Sequence, residues 1–419
     1  MNNKLPDFLA KNFSGPLIFN YIWWVLKQAK ERGIKTLYFL ARDGYLLREI
    51  AQSFCDYFGF SIECRYLYCS RAALRMPSYH LTCEEKYDLL LCSGYLFSVS
   101  SVLQRAELNE EQQKLVCAEC GIDFNARDRL LSRREFDELC QKLRNSKSFE
   151  NFVDTKSKEN YQAAIAYLQQ EGLFKQETVA IVDSGWSGSM QRSLRQLLES
   201  ADFSGKLLGF YFGMYVEPKE KQDGEYCTWF FNRHTSSKYK IPFNNNLFEC
   251  LLAAPHGMTV RYSFDGEKAL PCFLSDPDES AKKQIVEHIA LVCAYTGERV
   301  RKIEFNNFAE NTIRKESLKL VKRYMVHPER EEALYYGNLA FCDDITEAYL
   351  LRLVSPETIS QLKHYSMAAR LWRRFISRKS IKTAELFWPY GTIAFAPRWK
   401  QWWYRMNVYI WEWLRYEHM

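Results

Sequence analysis

The stretch TVAIVDSGWSGSMQRSL, residues 178–194, decides the fold class of this chain. Thr178 to Val182 is a short β-branched and apolar run of the kind found in buried strands. Asp183 is predicted to end that strand, and a loop rich in glycine and serine then leads into Met190 to Leu198, whose apolar spacing is helical. A strand that opens through a short loop into a helix is the repeating unit of a parallel α/β sheet.

Similar units lie on both sides of this stretch. Lys35–Ala41 resembles a buried strand, which breaks at Arg42-Asp43-Gly44 before a helical pattern begins. Glu63–Cys69 is the next predicted strand and Lys206–Met214 a further one. We therefore predict an α/β fold with a mostly parallel sheet. Both loops fall at the carboxyl ends of strands, where ligands collect in such sheets.

Two regions are predicted outside this pattern of strands and helices. The segment at about 82–158 is polar and charged and is read as a helical insertion within an α/β catalytic domain that spans residues 1–275. Residues 276–419 are mainly helical in pattern, with breaks near Pro328 and Pro356. They form a helical C-terminal region with a basic, aromatic tail.

The amino-acid composition is typical of a folded protein with a large core. Nearly half of the 419 residues are hydrophobic, which is enough for a sizeable core. The 13 cysteines are scattered, as in a reduced cytosolic chain. Residues Met1 to Phe13 lack the pattern of a secretory signal, and no apolar run is long enough to span a membrane. We expect a soluble cytoplasmic protein, with the inner face of the cytoplasmic membrane as a place where its tail could act.

The tail carries most of the net charge. Residues 365–419 hold ten Lys or Arg against three Glu, a balance of +7, and seven of the eleven tryptophans. Trp402, Met406, Tyr409, Ile410 and Trp413 share one helical face. That face could lie on an anionic membrane, dock on a partner or pack as core. Nucleic-acid binding is disfavoured because the basic residues are confined to the tail and no recognition motif accompanies them.

The loop from Asp183 to Ser189 is a candidate phosphate site. A helix that begins just after a strand offers backbone N–H groups and the positive end of its dipole. Its glycines would allow close backbone approach, its serine hydroxyls could donate, and Asp183 could contact sugar hydroxyls or a metal. The alternative is an ordinary turn with a capping serine. The residues assigned to substrate binding here are Asp183, Ser184, Gly185, Trp186, Ser187, Gly188 and Ser189.

Arg42-Asp43-Gly44 occupies the equivalent position after another strand. Arginine suits bidentate phosphate contact, and the neighbouring aspartate could bind a metal or accept a proton. The alternative is an Arg–Asp pair that only holds the loop. Ser70 and Arg71, just beyond the next strand, are candidates for the same pocket, although Arg71 could equally be a surface residue at a helix start.

Glu249 and His256 flank a predicted helix end within LFECLLAAPHG, residues 247–257. A carboxylate inside an apolar run has either a buried partner or a chemical task, and a carboxylate with a raised pKa is suited to act as a general base. His256 could instead be a loop histidine that bonds the backbone.

Together these motifs resemble the glycan phosphoribosyltransferase half of bacterial dual-domain ribofuranosyltransferases, which are often labelled HAD-superfamily hydrolases. The resemblance runs in order from about residue 17 to 395. It is carried by YFLARDGYLL (38–47), YLYCSRAAL (66–74), VAIVDSGWSGSMQRSL (179–194), LFECLLAAPHG (247–257) and WPYG (388–391).

The resemblance implies a phosphoribosyltransferase-like fold, a donor, a metal and an acceptor. The donor would be 5-phosphoribosyl-1-diphosphate with Mg²⁺, and ribose 5-phosphate would pass to a hydroxyl of a growing, lipid-linked surface polysaccharide such as O-antigen or capsule. Residues 183–189 would hold the ribose 5-phosphate, and residues 42–44 with Arg71 the diphosphate and its metal, with Asp43 and Asp183 as metal ligands. Asp43, Glu249 and His256 are the catalytic candidates, and Asp43 is favoured over Glu249 as the base.

One departure from HAD phosphatases matters. Those enzymes need an Asp-x-Asp pair, whereas Asp183-Ser184-Gly185 supplies one aspartate. The chain is therefore expected to leave the 5-phosphate in place for a separate phosphatase. A HAD-like phosphatase or other hydrolase, and a non-catalytic phosphosugar-binding assembly protein, are the rival interpretations.

Overall fold

The computed structural model describes residues 4–82, 85–91, 98–216, 224–274, 276–341, 351–362 and 386–417. Its centre is a sheet of five parallel strands in the order β2-β1-β3-β4-β5. The predicted α/β class and parallel sheet are confirmed. The strands are β1 Thr36–Leu40, β2 Glu63–Leu67, β3 Thr178–Trp186, β4 Lys206–Met214 and β5 Glu225–Phe231.

Helices surround the sheet and account for most of the remaining structure. In the first half they are α1 Leu5–Leu9, α2 Gly15–Glu31, α3 Ala41–Phe58, α4 Arg71–Arg75, α5 Glu85–Leu90, α6 Val99–Arg105, α7 Glu110–Glu119, α8 Arg133–Arg144, α9 Lys147–Gln170 and α10 Ser189–Ser200. They continue with α11 Ser237–Lys240, α12 Asn245–Leu251, α13 Glu279–Val300, α14 Glu310–Val321, α15 Arg330–Gly337, α16 Pro356–Gln361, α17 Pro389–Ile393 and α18 Arg398–Glu417.

Helices cover both faces of the sheet. The side chains of each strand alternate between the two faces, so every strand contributes to both cores. In β1, Leu37 and Phe39 face a core that they share with α2 and α3. Tyr38 and Leu40 face the other side and pack with α9 and α10. Both faces are thus buried, as expected for a parallel sheet with helices on each side.

The strand order places a switch point between β1 and β3. From β1 the chain passes outward to β2, whereas β3 leads in the opposite direction to β4. The last register pair of β1 with β3 joins Phe39 to Val182, but β3 continues beside β4 as far as Trp186. The end of β3 therefore projects past β1, and a crevice of this kind is where open parallel sheets bind ligands.

Two predicted boundaries are wrong at this edge. Asp183 does not end its strand: it pairs with Tyr211 inside β3. Nor do residues 42–44 form a loop, because helix α3 begins at Ala41 and they are its first turn. Ala41 makes the abrupt change of direction with φ of 55°, a left-handed conformation that is costly for a residue other than glycine.

The predicted insertion is mainly helical in its described residues, with turns between the helices, and it has a hydrophobic core of its own. Residues 83–84 and 92–97 of the insertion lie outside the described residues. Asn109 and Ser132, expected as helix starts, cap α7 and α8 through their side chains. The helix expected from residue 159 is the second half of the longer α9.

In its described residues the C-terminal region is largely helical, as predicted, with breaks near Pro328 and Pro356. Trp23 of α2 donates its indole N–H to the carbonyl oxygen of Phe305 at 2.9 Å, so this region packs on the first helices of the chain. Two antiparallel pairs were not anticipated. They are β6 Thr259–Asp265 with β7 Lys268–Phe273, and β8 Ala340–Phe341 with β9 Leu351–Arg352.

Among the described residues, no helix combines the length and the apolar character that crossing a membrane requires. The basic residues of the tail between 363 and 385 lie outside the described residues.

Candidate functional site

A hydrogen bond joins the two loops that the sequence singled out. The hydroxyl of Ser184, near the end of β3, donates to the Oδ2 atom of Asp43 in the first turn of α3. Ser184 is almost fully buried and Asp43 partly so. Although these residues are far apart in sequence, they meet at the switch point because β1 and β3 are neighbours.

Glu249 reaches the same edge from α12. The indole N–H of Trp186, the last residue of β3, donates to the Oε1 atom of Glu249 at 2.5 Å. Trp186 holds a left-handed backbone with φ of 76°. Its ring lies 5.5 Å from that of Phe243, so both backbone and packing fix the direction of the N–H group. The carboxylate of Glu249 is therefore held in a defined position by a hydrogen bond, although it lies in an apolar helix.

Asp43, Asp183 and Glu249 influence one another electrostatically. Burial is the main reason that the pKa of each is raised, and for Asp183 and Glu249 the charge of Asp43 is the next cause. The pKa of Glu249 rises to about 7, and that of Asp183 lies well above its usual range. Like charges held together in this way are typical of sites that bind a cation or move a proton.

Two arginines offset this negative charge. Arg42 lies beside Asp43 in the first turn of α3, and Arg71 begins α4 after β2. Both lower the pKa values of Asp43 and Glu249 against the larger effect of burial. The predicted cations and carboxylates thus converge on one place. Gly44 has a structural reason to be glycine: a Cβ there would lie 2.5 Å from the carbonyl carbon of Phe39.

The beginning of α10 forms the other side of the crevice. Gly188 caps this helix with φ of 67° and offers no capping side chain. Arg75, which is buried, donates from Nη2 to the hydroxyl of Ser189 at 2.8 Å. Ser187 is exposed beside it and donates to Ser189 at 3.3 Å. Hydroxyls, a guanidinium and a helix N-terminus are groups suited to an anion.

Gly185 was expected to allow close approach of the backbone to a phosphate, but its surroundings give it a different role. It lies within β3 with φ of 113°, and a Cβ there would stand 2.3 Å from the carbonyl oxygen of Gly213 on β4. Close approach of two strands therefore explains this glycine without a phosphate. Ser70 is likewise used locally, because its hydroxyl accepts the backbone N–H of Ala73 at 3.0 Å and caps α4.

His256 lies next to the site, on the side of β2. Its Nδ1 atom is 2.8 Å from the carbonyl oxygen of Gly257, which can only accept, so Nδ1 carries a proton. In the neutral ring, Nε2 then accepts the hydroxyl of Tyr66 at 2.8 Å. Burial lowers the pKa of His256, and Arg42 lowers it further. Both ring nitrogens are thus used within the protein, and the ring packs among Tyr45, Tyr68 and Phe273, which disfavours His256 as a general base.

Sequence reasoning missed two residues that shape the site. The hydroxyl of Tyr21 on α2 lies 2.8 Å from the carbonyl oxygen of Asp183 and 2.9 Å from that of Phe210, and so holds β3 and β4 together. Arg75 was also missed, although it follows Arg71 by four residues, the spacing that puts side chains on one helical face. A tyrosine within an apolar helix gave no comparable indication.

A magnesium ion bound at this site would have to be shared with a substrate. In the described part of the chain, no group of three or more His, Cys, Asp or Glu side chains is arranged to hold a metal. Mg²⁺ usually takes one or two protein carboxylates and completes its shell with phosphate oxygens and water. Asp43 and Asp183 could supply such a pair.

No family model matches the chain, and no curated protein does. Any assignment of function therefore depends on the geometry of the site and on the motifs described above.

Proposed function

We propose that this protein is a glycosyltransferase of surface polysaccharide biosynthesis. It transfers ribofuranose 5-phosphate from 5-phosphoribosyl-1-diphosphate to a hydroxyl of a lipid-linked glycan and releases diphosphate. The observation that carries the proposal is the convergence of Asp43, Asp183 and Glu249 with Arg42 and Arg71 at the switch point of a parallel sheet. The phosphoribosyltransferase-like character of the sheet is part of the proposal.

Two anion-binding regions would divide the donor between them. The start of α10, with Ser187, Ser189 and the buried Arg75, suits the 5-phosphate. Arg42 and Arg71 suit the diphosphate, since both already act on the carboxylates at the end of β1 and β3. A donor with a phosphate at each end of a ribose fits such a divided site.

Magnesium would be held by Asp43 and Asp183 together with the diphosphate oxygens. When bound, it supplies positive charge that stabilises the departing diphosphate. A cation there would also relieve the repulsion between the two carboxylates, which contributes to the raised pKa of Asp183.

Transfer breaks the bond from C1 of the ribose to the diphosphate oxygen and forms a bond from C1 to the acceptor oxygen. The acceptor proton must pass to a base, and Glu249 is the better candidate. Its pKa of about 7 suits a group that takes a proton near neutral pH. Asp43, favoured from sequence, accepts a hydrogen bond from Ser184 and lies beside two arginines, which suits a metal ligand.

The test is product release by the purified protein with donor, Mg²⁺ and a lipid-linked or synthetic glycan. Diphosphate release that requires the acceptor supports transfer, and the product should retain its 5-phosphate until a separate phosphatase is added. Inorganic phosphate release in the absence of acceptor would instead indicate a hydrolase.

Variants separate catalysis from binding in the same assay. Glu249→Gln should lower kcat by about 100-fold or more while donor binding persists, because it removes the base without removing a phosphate contact. Glu138→Gln, on the exposed face of α8, is the matched control. Donor binding without release of any product would leave a phosphosugar-binding protein as the interpretation.

A further inference from the structure

The C-terminal helix α18 has one packed face and one exposed face. Tyr404 and Val408 are buried in the main core, which fixes the helix on the body of the protein. The opposite face presents large apolar side chains to solvent, with Trp399 and Trp402 at 78% and 69% exposure. The exposed set, here called the aromatic face, is Trp399, Trp402, Trp403, Met406, Tyr409 and Trp413.

Of the alternatives drawn from sequence, core packing does not account for most of the predicted face. Trp402, Met406, Tyr409 and Trp413 are exposed as a stripe along the helix, while Ile410 of the predicted face is partly buried. Large contiguous apolar patches are rarely left in water, so an exposed stripe of this composition is a candidate docking surface.

We propose that the aromatic face docks flat on an anionic lipid bilayer. Tryptophan and tyrosine are the side chains that favour the boundary between lipid headgroups and acyl chains. The exposed cations Arg398 and Lys400 lie at the start of the same helix, where they can reach lipid phosphates. A 20-residue helix is about 30 Å long, yet its charged residues exclude burial across the bilayer.

Charge favours lipid over a second copy of this chain. Helix α18 itself carries four Lys or Arg against two Glu, and the sequence from residue 365 to 419 has a balance of +7. Two such positively charged helices placed face to face would repel each other, whereas an anionic membrane surface attracts each of them.

The position of the helix gives docking a consequence for the candidate site. Near its C-terminal end, Tyr416 stacks on Tyr215 with ring centroids 5.5 Å apart. Tyr215 lies 5.9 Å from the ring of Trp186, which donates to Glu249. A bilayer against the aromatic face would therefore lie beside the edge of the sheet that holds the carboxylates. Membrane docking is inferred from the helix alone. Only the statement that docking brings the active site close to a lipid-linked substrate rests on the proposed function.

The test is sedimentation of the full-length protein with vesicles of phosphatidylcholine, with and without phosphatidylglycerol. We expect binding to the anionic vesicles that weakens as salt is raised. Replacing Trp402, Tyr409 and Trp413 together by alanine should weaken binding by about tenfold or more, because apolar contact is lost. The matched control replaces Leu115, Leu130 and Phe264, which are similarly exposed elsewhere.

Two further measurements keep the proposal falsifiable. Arg398→Glu with Lys400→Glu leaves the aromatic side chains intact and should also weaken binding to anionic vesicles. Donor binding by calorimetry should be unchanged in these variants, so a failure of docking is distinct from a failure of the proposed activity. Absence of vesicle binding, equal loss in the control variant, or self-association that the aromatic substitutions abolish would overturn the proposal.

Discussion

Replacing Glu249 by Gln should change how the stability of the protein depends on pH. Burial and the charge of Asp43 raise the pKa of Glu249 from 4.5 to about 7. The folded state therefore favours the protonated carboxyl. Its contribution to stability is fully present below the unfolded pKa and is lost as pH rises through the folded pKa. Gln is neutral throughout and can still accept the Trp186 N–H.

The size of the effect on the free energy of unfolding follows from the shift in the pKa of Glu249. One pKa unit corresponds to about 1.4 kcal/mol, so ionised Glu249 costs the folded protein about 3 kcal/mol once the pH is well above 7. Part of this cost depends on Asp43 being charged as well. Relative to the native protein, the free energy of unfolding of Glu249→Gln should increase by about 2 kcal/mol between pH 5 and pH 8.

Urea denaturation at several pH values measures this difference, with Glu138→Gln as the exposed control. Any fixed effect of the amide cancels, because only the change with pH is compared. A difference between native protein and Glu249→Gln that stays flat across this range, or that shrinks as pH rises, would refute the reasoning. Saturating donor with Mg²⁺ should reduce the difference in free energy of unfolding between the two proteins, because a bound cation would stabilise the ionised carboxylates.

Four further variants have outcomes that can be measured on the purified protein. Ser187→Ala combined with Ser189→Ala should weaken donor binding by more than about 1 kcal/mol in calorimetry, and unchanged affinity in a folded variant would remove the phosphate assignment. Gly185→Ala should destabilise the protein by about 2 kcal/mol or more in urea denaturation, because of its positive φ and the facing carbonyl. Gly297→Ala, in open space on α13, should instead stabilise it by about 0.5–1 kcal/mol. Trp186→Phe removes the indole N–H whose hydrogen bond lowers the pKa of Glu249, so that pKa should rise. If Glu249 is the base, the acidic limb of the kcat/KM profile should then move to higher pH. A limb that does not move would contradict the role of Glu249 as base.

Local patterns were sufficient to predict the sheet, because four of its strands are short buried runs next to helical periodicity. The hairpin of β6 and β7 was missed although the first central residue of its two-residue turn, Gly266-Glu267, is a glycine with φ of 60°, as tight hairpin turns require. Its strands carry exposed polar positions rather than an apolar run, so the turn was the only strong indication. Strand β5 was missed as well.

The end of β3 could not be judged from apolar residues alone. Hydrophobicity stops at Val182, but pairing with β4 continues to Met214, so hydrogen bonds and not apolar burial set the length of the strand. For the same reason the supposed loop of residues 183–189 is mostly strand. The convergence of Asp43, Asp183 and Glu249 depends on contacts between distant segments, which single-residue patterns do not contain.

The central claim is that these carboxylates and arginines form a donor site, and calorimetric titration with 5-phosphoribosyl-1-diphosphate tests it most directly. The native protein should bind the donor at a single site in the presence of Mg²⁺, and far more weakly without it. Asp43→Asn should weaken binding by about tenfold or more, because it removes a proposed metal ligand. Absence of binding with Mg²⁺, or an affinity that neither Mg²⁺ nor Asp43→Asn changes, would contradict the account.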